Sequence, residues 1–371
     1  MMKRSIWKKL LLDIVLTGVA LVIFALFHHV LPRQQESMGI VIENPNRKTG
    51  IMEVADGVVG YGGDTSVMTD TGVSLMARGG RGRGQGSSGK GTNAGGMSEK
   101  GGSAADGASA VEETDDTAME DKFAEVYTEE VTSTEDSYAS DQVSVSIEKV
   151  TENGVTYYLA DIYLKDVTAL QTVLAKGTYG SGYRDSILSM AESANALVAV
   201  NGDYYGNTNE GVVIRNGVIY RANATDCDVC VLYYDGTMRV IPGAEFSVQE
   251  AIEDGAWQAW TFGPSLLNSE EEAITSFSST RRIQSANPRT AIGYYEKGHY
   301  CLVVVDGRGD SEGMTLQEMS ALFERLGCKA AYNLDGGNSS IMVWGNEVIN
   351  EPSGGGRTSS DAIVITEVPS V

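Results

Sequence analysis

The sequence predicts an α+β (mixed α/β) domain with a central mixed β-sheet, flanking helices and antiparallel hairpins, preceded by one transmembrane helix and a disordered stalk. Short apolar runs separated by Asn-Gly and Asp-Gly pairs recur between residues 143 and 241, which is typical of β-hairpins. An amphipathic helix separates two later apolar runs that end at Asp306 and Asp335. The N-terminus is basic and then apolar, which is typical of a membrane anchor.

Residues 1–30 are predicted to form a cytoplasmic tip and a transmembrane signal anchor. Lys3, Arg4, Lys8 and Lys9 precede an apolar stretch over residues 10–30 that is long enough to cross a bilayer. Basic residues before the span predict that the N-terminus stays inside and the rest of the chain lies outside. We therefore expect a single-pass protein of the cell membrane with an extracytoplasmic domain and the membrane as a partner.

Residues 31–142 are predicted to be a low-complexity flexible stalk, and residues 143–371 the folded domain. The segment 79–107 is rich in glycine and almost free of apolar residues, so it cannot bury enough surface to offset the entropy of ordering. The chain has a formal net charge of -22, which argues against nucleic acid as a partner.

Four cysteines leave the disulfide pairing open. Cys227 and Cys230 form a C-x-x-C pair that could make a local bridge outside the cytosol. Cys301 and Cys328 begin the two apolar runs around the amphipathic helix, so they could also pair if they lie close together. A zinc site is disfavoured because no second ligand pair has suitable spacing.

The predicted domain begins with a hairpin over residues 143–164 that turns at Asn153-Gly154. The elements expected next are a helix, a buried strand and two further hairpins: residues 185–194, 196–200, 211–220 and 229–241.

The helix between Asp306 and Asp335 has clear start and stop signals. Thr315 and Glu318 form a capping box, an apolar face follows at helical spacing, and Gly327 ends the helix. This pattern predicts a crossover helix that joins two neighbouring parallel strands. Both aspartates would then lie on one rim of the sheet, where open α/β sheets bind their ligands.

Polar residues follow four of the apolar runs. Taken singly, each group is an ordinary turn or a surface ion pair, but their coincidence on one rim favours a binding site. The candidate catalytic residues are Asp203, Asp306 and Asp335. The candidate substrate-binding residues are Asn201, Tyr204, Arg289, Thr290, Arg308, Asn333, Gly336, Gly337, Asn338, Ser339 and Ser340.

Several other chemistries are disfavoured. The predicted domain has one histidine, His299, so a Ser-His-Asp triad is not expected, and no phosphate-binding P-loop motif is present. No cofactor is predicted. The alternative left open is a Ca²⁺ or Mg²⁺ ion held by the oxygens of Asp203, Asp306 and Asp335.

The motifs NGDYY, NPRTAIG, VVVDGR, GMTLQE and NLDGGNSS occur in this order, and together they resemble the phosphodiester glycosidase family over residues 143–371. Three positions depart from the family pattern. Asp203 and Asn338 replace glycines, and Thr358 follows Arg357 where the family often has proline. The resemblance implies a hydrolase that cleaves a sugar-1-phosphate diester, similar to a GlcNAc phosphodiester, in cell-surface or exopolysaccharide polymers. The implied partner is thus a glycan or sugar-phosphate polymer.

The resemblance also suggests roles for the candidate residues. Arg289 and Arg308 would hold the phosphate, assisted by the serines and by the backbone of the two glycines. Asp306 and Asp335 would act as base or nucleophile, and their separation would decide between inversion and retention. Asn201 and Asn333 would orient sugar hydroxyls, and Tyr204 would stack on a sugar ring or pack in the core.

Two other functions remain open at the level of sequence. A non-catalytic carbohydrate-binding surface module would explain the anchor and stalk equally well. A cation-dependent phosphodiesterase would cut the other side of phosphorus and lose activity in EDTA.

Overall fold

The computed structural model describes residues 2–25, 31–45 and 122–367. The chain divides into two units, Met1–Lys48 with Asp115–Val371, and Thr49–Thr114. The second unit lies outside the described residues, as does most of the predicted stalk, residues 46–121. The flexibility expected of that segment stays a prediction.

The described part of the chain begins with helix α1, Met2–Ala25. Nowhere in the described ranges is there a helix with both the length and the apolar character needed to cross a membrane. The prediction of a transmembrane helix is therefore wrong. Lys8, Lys9 and Asp13 lie inside α1 and interrupt its apolar stretch.

The described residues form mostly strands. The remaining helices are α2 Ile187–Ala194, α3 Val248–Glu253, α4 Arg281–Gln284 and α5 Leu316–Leu326. The strands in chain order are β1 Arg33–Gln34, β2 Ile40–Val41, β3 Thr132–Ser133, β4 Ser137–Ala139, β5 Val143–Glu152, β6 Val155–Leu164, β7 Leu170–Leu174, β8 Gly180–Ser181, β9 Val198–Asn201, β10 Val212–Arg215, β11 Val218–Ala222, β12 Val229–Tyr233, β13 Met238–Ile241, β14 Ala256–Thr261, β15 Arg289–Glu296, β16 His299–Val305, β17 Ala330–Asn333, β18 Met342–Trp344, β19 Glu347–Val348 and β20 Asp361–Ile365.

These strands make three larger sheets and one small one. Their orders are β17-β15-β16-β6-β5-β4-β3, β13-β12-β14-β10-β11-β2, β19-β18-β9-β20-β7 and β1-β8. Every pairing among the described strands is antiparallel. The predicted α+β (mixed α/β) class with a mixed central sheet is therefore wrong, and the fold is built mainly of antiparallel sheets.

The error arose at the two strands that flank α5. Strands β16 and β17 run in the same direction, but β15 lies between them and pairs antiparallel with both. β15 and β16 are consecutive in the chain and pair as a hairpin, and β6 pairs with the other edge of β16. Only the free edge of β15 is then open to β17. Asp306 and Asp335 still leave the sheet at the same rim, one strand further apart than predicted.

Local turn chemistry explains the hairpins. The β5–β6 pair turns at Asn153 and Gly154, with φ of 51° and 77°. The β10–β11 pair turns at Asn216 and Gly217, with φ of 51° and 74°. Two consecutive positive φ values suit the right-handed twist of a hairpin, and Asn and Gly tolerate them best.

The core has two main layers. One side of the seven-stranded sheet packs against strands of the six- and five-stranded sheets, with Trp260, Leu302 and Ile363 fully buried. The other side is covered by α5, whose Phe323 and Leu316 pack with Val303. The predicted capping box of α5 is present, and Gly327 ends the helix with φ of 80°.

Parts of the predicted stalk belong to these sheets. Residues 33–41 contribute β1 and β2, and residues 132–139 contribute β3 and β4. The side chain of Ile42 is buried beside β11 and β12. Strands of two or three residues such as these are too short to show the alternating apolar pattern that makes a strand visible in a sequence.

Cys301 and Cys328 lie together under α5. Both thiols are buried and free, and their Sγ atoms are 3.9 Å apart. Cys227 and Cys230 are also free, the first exposed and the second buried.

We expect Gly293→Ala to destabilise the fold by about 1–3 kcal/mol because it overpacks this layer. A Cβ at Gly293 would lie 2.6 Å from Phe323 Cε1 and 2.7 Å from Cys301 Sγ. The matched control is Gly309→Ala, whose Cβ would meet nothing within 4 Å. Urea unfolding measures both variants, and equal midpoints would show that α5 can move away from β15 at little cost.

Candidate active site

The loop that follows β17 is the centre of the candidate site. Asp335 begins it, and residues 337–339 form one turn of 3-10 helix. Gly337 has φ of 69°, and a Cβ on Gly336 would lie 2.8 Å from the carbonyl oxygen of Pro288. Only glycine fits this turn and this approach without strain. The turn brings Ser339 back toward Asp335.

Arg357, which follows Asp335 by 22 residues in the chain, contacts this loop. Its Nη2 donates to Asp335 Oδ2 at 2.8 Å and to Ser339 Oγ at 2.6 Å, and its Nε donates to the same hydroxyl at 3.0 Å. The Arg357 side chain is 46% exposed, whereas that of Asp335 is 11% exposed. The guanidinium also lies 6.0 Å from the ring centroid of Tyr204. One cation, one carboxylate, one hydroxyl and one aromatic ring thus meet here, with Arg357 and Tyr204 exposed and Asp335 and Ser339 buried.

The pKa of the Asp335 carboxyl is raised. Burial is the main cause, and it outweighs the opposing hydrogen bond from Ser339 and the charge of Arg357. Such a carboxylate is more basic than an exposed one, which suits a base or a nucleophile.

Asn201 and Thr290 lie on the buried side of the loop that follows β17. Asn201 Nδ2 donates to the backbone oxygen of Asp335 at 2.7 Å, and Thr290 Oγ1 donates to Asn201 Oδ1 at 2.7 Å. Both side chains are fully buried. They therefore position Asp335, and a direct contact with substrate hydroxyls is not what this geometry offers.

Asn333 and Ser340 are buried beside the same loop. Asn333 Nδ2 donates to the carbonyl oxygen of Gly263 at 2.8 Å. Its Oδ1 and the hydroxyl of Ser340 have no hydrogen-bond partner among the described residues. These two atoms keep free acceptor capacity within the site.

Asp306 accepts hydrogen bonds from residues 350–351, which follow β19. Its Oδ1 accepts from Asn350 Nδ2 at 2.8 Å, and both its oxygens accept from the backbone N–H of Glu351 at 3.1 Å. The side chain is only 5% exposed. These bonds commit Asp306 to fixing residues 350–351.

The two predicted phosphate arginines differ in accessibility. Arg289 is buried and donates to three backbone oxygens, those of Met314, Ile283 and Ser285. Burial and the charge of Arg308 lower its pKa to about 10. Arg308 is exposed and donates to Asn338 Oδ1 at 2.9 Å. It therefore lies on the solvent side of the loop that contains Gly336 and Gly337, which we call the glycine loop. The geometry favours Arg308 over Arg289 for contact with a ligand.

Asp203 lies behind the site in a buried charge cluster. Its Oδ2 is 2.8 Å from Arg215 Nη2, and its carboxylate also accepts the backbone N–H groups of Tyr205 and Thr261. Asp361 Oδ2 is 2.9 Å from the same Nη2 and accepts from Arg215 Nε at 2.9 Å. Asp203 is 1% exposed, so it does not face a substrate directly.

Two carboxylates therefore share one guanidinium. Asp203 has backbone donors that stabilise its charge, whereas Asp361 Oδ1 has no partner among the described residues. Of the two carboxyl groups, Asp361 is therefore the one that keeps a proton. Burial and then the charge of Asp203, opposed by Arg215, raise the pKa of Asp361 to about 8. A Cβ on Gly202 would lie 2.4 Å from Asp361 Oδ1, which explains the glycine there.

We expect Asp361→Asn to flatten the dependence of stability on pH. The native Asp361 carboxyl keeps its proton up to about pH 8, whereas its ordinary pKa is 3.8. Between these values the native state binds more protons than the unfolded state, so stability falls as pH rises. The scale is about 1.4 kcal/mol for each pKa unit. Urea unfolding between pH 4 and pH 8 measures the slope, and parallel curves for both proteins would contradict the assignment of the proton.

Three charged residues of the candidate site and of the cluster behind it were not among the candidates from the sequence: Arg215, Arg357 and Asp361. The signal for Arg357 was its place near the family's Arg-Pro pair. Arg215 and Asp361 lie in apolar strands, β10 and β20, where a lone charge carries no local pattern.

The described residues contain no group of 3 or more His, Cys, Asp or Glu side chains placed to hold a metal ion. Asp203, Asp306 and Asp335, which could have formed a Ca²⁺ or Mg²⁺ site, each have separate partners in the fold.

Residues 194–366 match the family model described as phosphodiester glycosidase. The chain is 30% identical over 243 residues to a Bacillus subtilis protein, the uncharacterized SPbeta prophage-derived YomE, covering 60% of this chain and 37% of that one. It is 36% identical over 84 residues to human N-acetylglucosamine-1-phosphodiester alpha-N-acetylglucosaminidase, covering 23% of this chain and 16% of the human protein.

A solved structure is also similar. It is the zebrafish N-acetylglucosamine-1-phosphodiester alpha-N-acetylglucosaminidase catalytic domain, auto-inhibited by its pro-peptide, with 21% identity and a TM-score of 0.48. The match covers 61% of this chain and 83% of that one. The family match spans the loop of Asp335, the Arg215 cluster and Arg357. Residues 194–366 thus match the phosphodiester glycosidase family model, and the resemblance seen in the motifs is confirmed.

Proposed function

We propose that this protein hydrolyses sugar-1-phosphate diesters of the GlcNAc type, and that its natural substrate is a cell-surface or exopolysaccharide polymer outside the cytoplasm. The observation that supports this best is Arg357 bonded to both Asp335 and Ser339 beside the half-exposed ring of Tyr204. The family description and the names of the mammalian relatives support the reaction class.

Arg357 suits the phosphate. Its guanidinium is half exposed, and because Nε and Nη2 donate to Ser339 and Asp335, Nη1 is left to donate to a phosphate oxygen. Ser339 adds a hydroxyl at the same place, and Arg308 lies on the outer side of the glycine loop. Tyr204, which is 37% exposed, offers a ring face for the sugar.

Asp335 then acts at the sugar carbon. The bond between C1 and the phosphate oxygen breaks, and its electron pair leaves with the phosphomonoester, which needs little help from an acid. Asp335 either takes a proton from the attacking water or attacks C1 itself. When the phosphate shares the charge of Arg357, the Asp335 carboxylate is less stabilised and therefore more reactive.

The test is hydrolysis of a synthetic GlcNAc-1-phosphate methyl diester by the full chain. We expect free GlcNAc and methyl phosphate, with the rate unchanged in EDTA. Absence of free sugar would refute the proposed activity. Release of GlcNAc-1-phosphate that stops in EDTA would instead identify a cation-dependent phosphodiesterase.

A further inference from the structure

A cavity lies between two hairpins, and none of its lining residues belongs to the candidate active site. It has a volume of about 800 Å³, within the range of about 300–1,000 Å³ that ligand sites occupy. The β3–β4 hairpin forms one wall and the β18–β19 hairpin forms the other, with β5 and β6 between them. We call this space the hairpin cleft.

The hairpin cleft is strongly acidic. Four carboxylates line it, those of Glu135, Asp136, Glu192 and Glu347, against a single base, Lys149. Within the described ranges, the side chains of Glu135, Glu192 and Glu347 have neither an ion pair nor a hydrogen bond. A phosphate or a uronic acid would be repelled here, and an ammonium group would be attracted.

Aromatic surface supplies the other half of the chemistry. Trp344 lines the cleft, and its Nε1 donates to the backbone oxygen of Glu135 at 2.8 Å. That bond ties the two hairpins together and leaves only the carbon surface of the indole to a ligand. Tyr138 and Tyr158 also line the cleft, and the ammonium of Lys149 already lies 5.3 Å from the centroid of the Tyr158 ring. The cleft therefore has the parts of a cation–π site.

The chain leads from the hairpin cleft to the contacts of Asp306. Ile349 lines the cleft, and the next two residues, Asn350 and Glu351, donate to the carboxylate of Asp306. Asn195, Asn346 and Ser133 supply amide and hydroxyl groups that suit sugar hydroxyls.

We propose that the hairpin cleft binds amino-sugar residues with free amines, in the glycan that carries the scissile phosphodiester. Each ammonium would pair with a carboxylate of Glu192 or Glu347, and the apolar face of the sugar would lie against Trp344. The binding step stands on the cleft alone, whereas its role as part of the substrate site rests on the proposed function.

The test is calorimetric titration of the full chain at pH 6, where amines are protonated and carboxylates are ionised. The probes are a tetramer of glucosamine with free amines, the N-acetylated tetramer of the same backbone, and tetralysine. We expect the free-amine tetramer to bind about tenfold more tightly than the N-acetylated tetramer, because only the free amines form ion pairs. It should also bind more tightly than tetralysine, which has no sugar face to lie against Trp344.

Three variants assign the binding to the cleft. Glu192→Gln with Glu347→Gln, and separately Trp344→Ala, should each weaken the free-amine tetramer about tenfold. The matched control is Glu245→Gln, an exposed glutamate outside the cleft, which should change nothing. The glutamine pair keeps size and polarity at exposed or half-buried positions, so its result does not depend on a disturbed fold.

Three results would overturn the proposal: no binding of the free-amine tetramer, equal binding of the N-acetylated tetramer, or equal binding of tetralysine. The last would show a cleft for basic peptides. Hydrolysis of the GlcNAc-1-phosphate methyl diester is measured on the same preparation. Loss of that activity would count against the proposed function, while the titration would still decide the cleft.

Discussion

Replacing Asp335 with asparagine should lower kcat for a GlcNAc phosphodiester about a thousandfold, because general-base or nucleophilic help is worth roughly 10²–10⁴. Asp335 is the carboxylate that accepts from Arg357, and burial raises its pKa and makes it more basic than usual. Asparagine has a similar size and an oxygen that still accepts from Arg357. The fold should therefore survive, and the loss should be in catalysis.

Asp306→Asn provides the comparison. Asp306 accepts from Asn350 and from the backbone of Glu351, so its replacement should disturb residues 350–351 and lower the thermal midpoint. We expect Asp335→Asn to keep the midpoint and lose kcat. Normal turnover by Asp335→Asn would remove this carboxylate from the mechanism.

Replacing Arg357 with alanine should lower kcat/KM about 10²–10³-fold, because it removes the donors that face the phosphate as its charge develops. The substitution also leaves Ser339 Oγ without its two bonds from the guanidinium. Arg357→Lys should recover only part of the activity, since lysine keeps the charge but loses the fork.

The matched control is Arg325→Ala. Arg325 is an exposed arginine at the end of α5 that pairs with Glu152, 2.6 Å away, and a surface pair of this kind contributes little. Steady-state kinetics on a short diester and on a diester with a larger leaving group should show the same loss for Arg357→Ala. Kinetics equal to those of Arg325→Ala would mean that Arg357 only holds the loop.

The sequence predicted the local elements better than their arrangement. The turn at Asn153-Gly154, the capping box of Thr315 and the stop at Gly327 are set by neighbours in the chain, and all three are present. The partner of β17 is set by which edges are already occupied, and nothing near residues 330–333 records that β15 separates it from β16. Pairing between distant strands therefore had to come from the structure.

The candidate site was predicted in the same uneven way. The glycine loop after Asp335 was visible because close backbone approaches need a dense run of small residues. Arg289 suggested a phosphate ligand by its type, but its three backbone acceptors lie in other parts of the fold. Arg215 and Asp361 meet only because β10 and β20 bring them together across 146 residues.

Hydrolysis of the GlcNAc diester in oxygen-18-labelled water shows which bond is cut. Phosphorus NMR should find no labelled oxygen in the released methyl phosphate, because water attacks the sugar carbon and the phosphate keeps its own four oxygens. Labelled methyl phosphate, or labelled GlcNAc-1-phosphate, would place the attack at phosphorus and contradict a glycosidase built around Asp335 and Arg357.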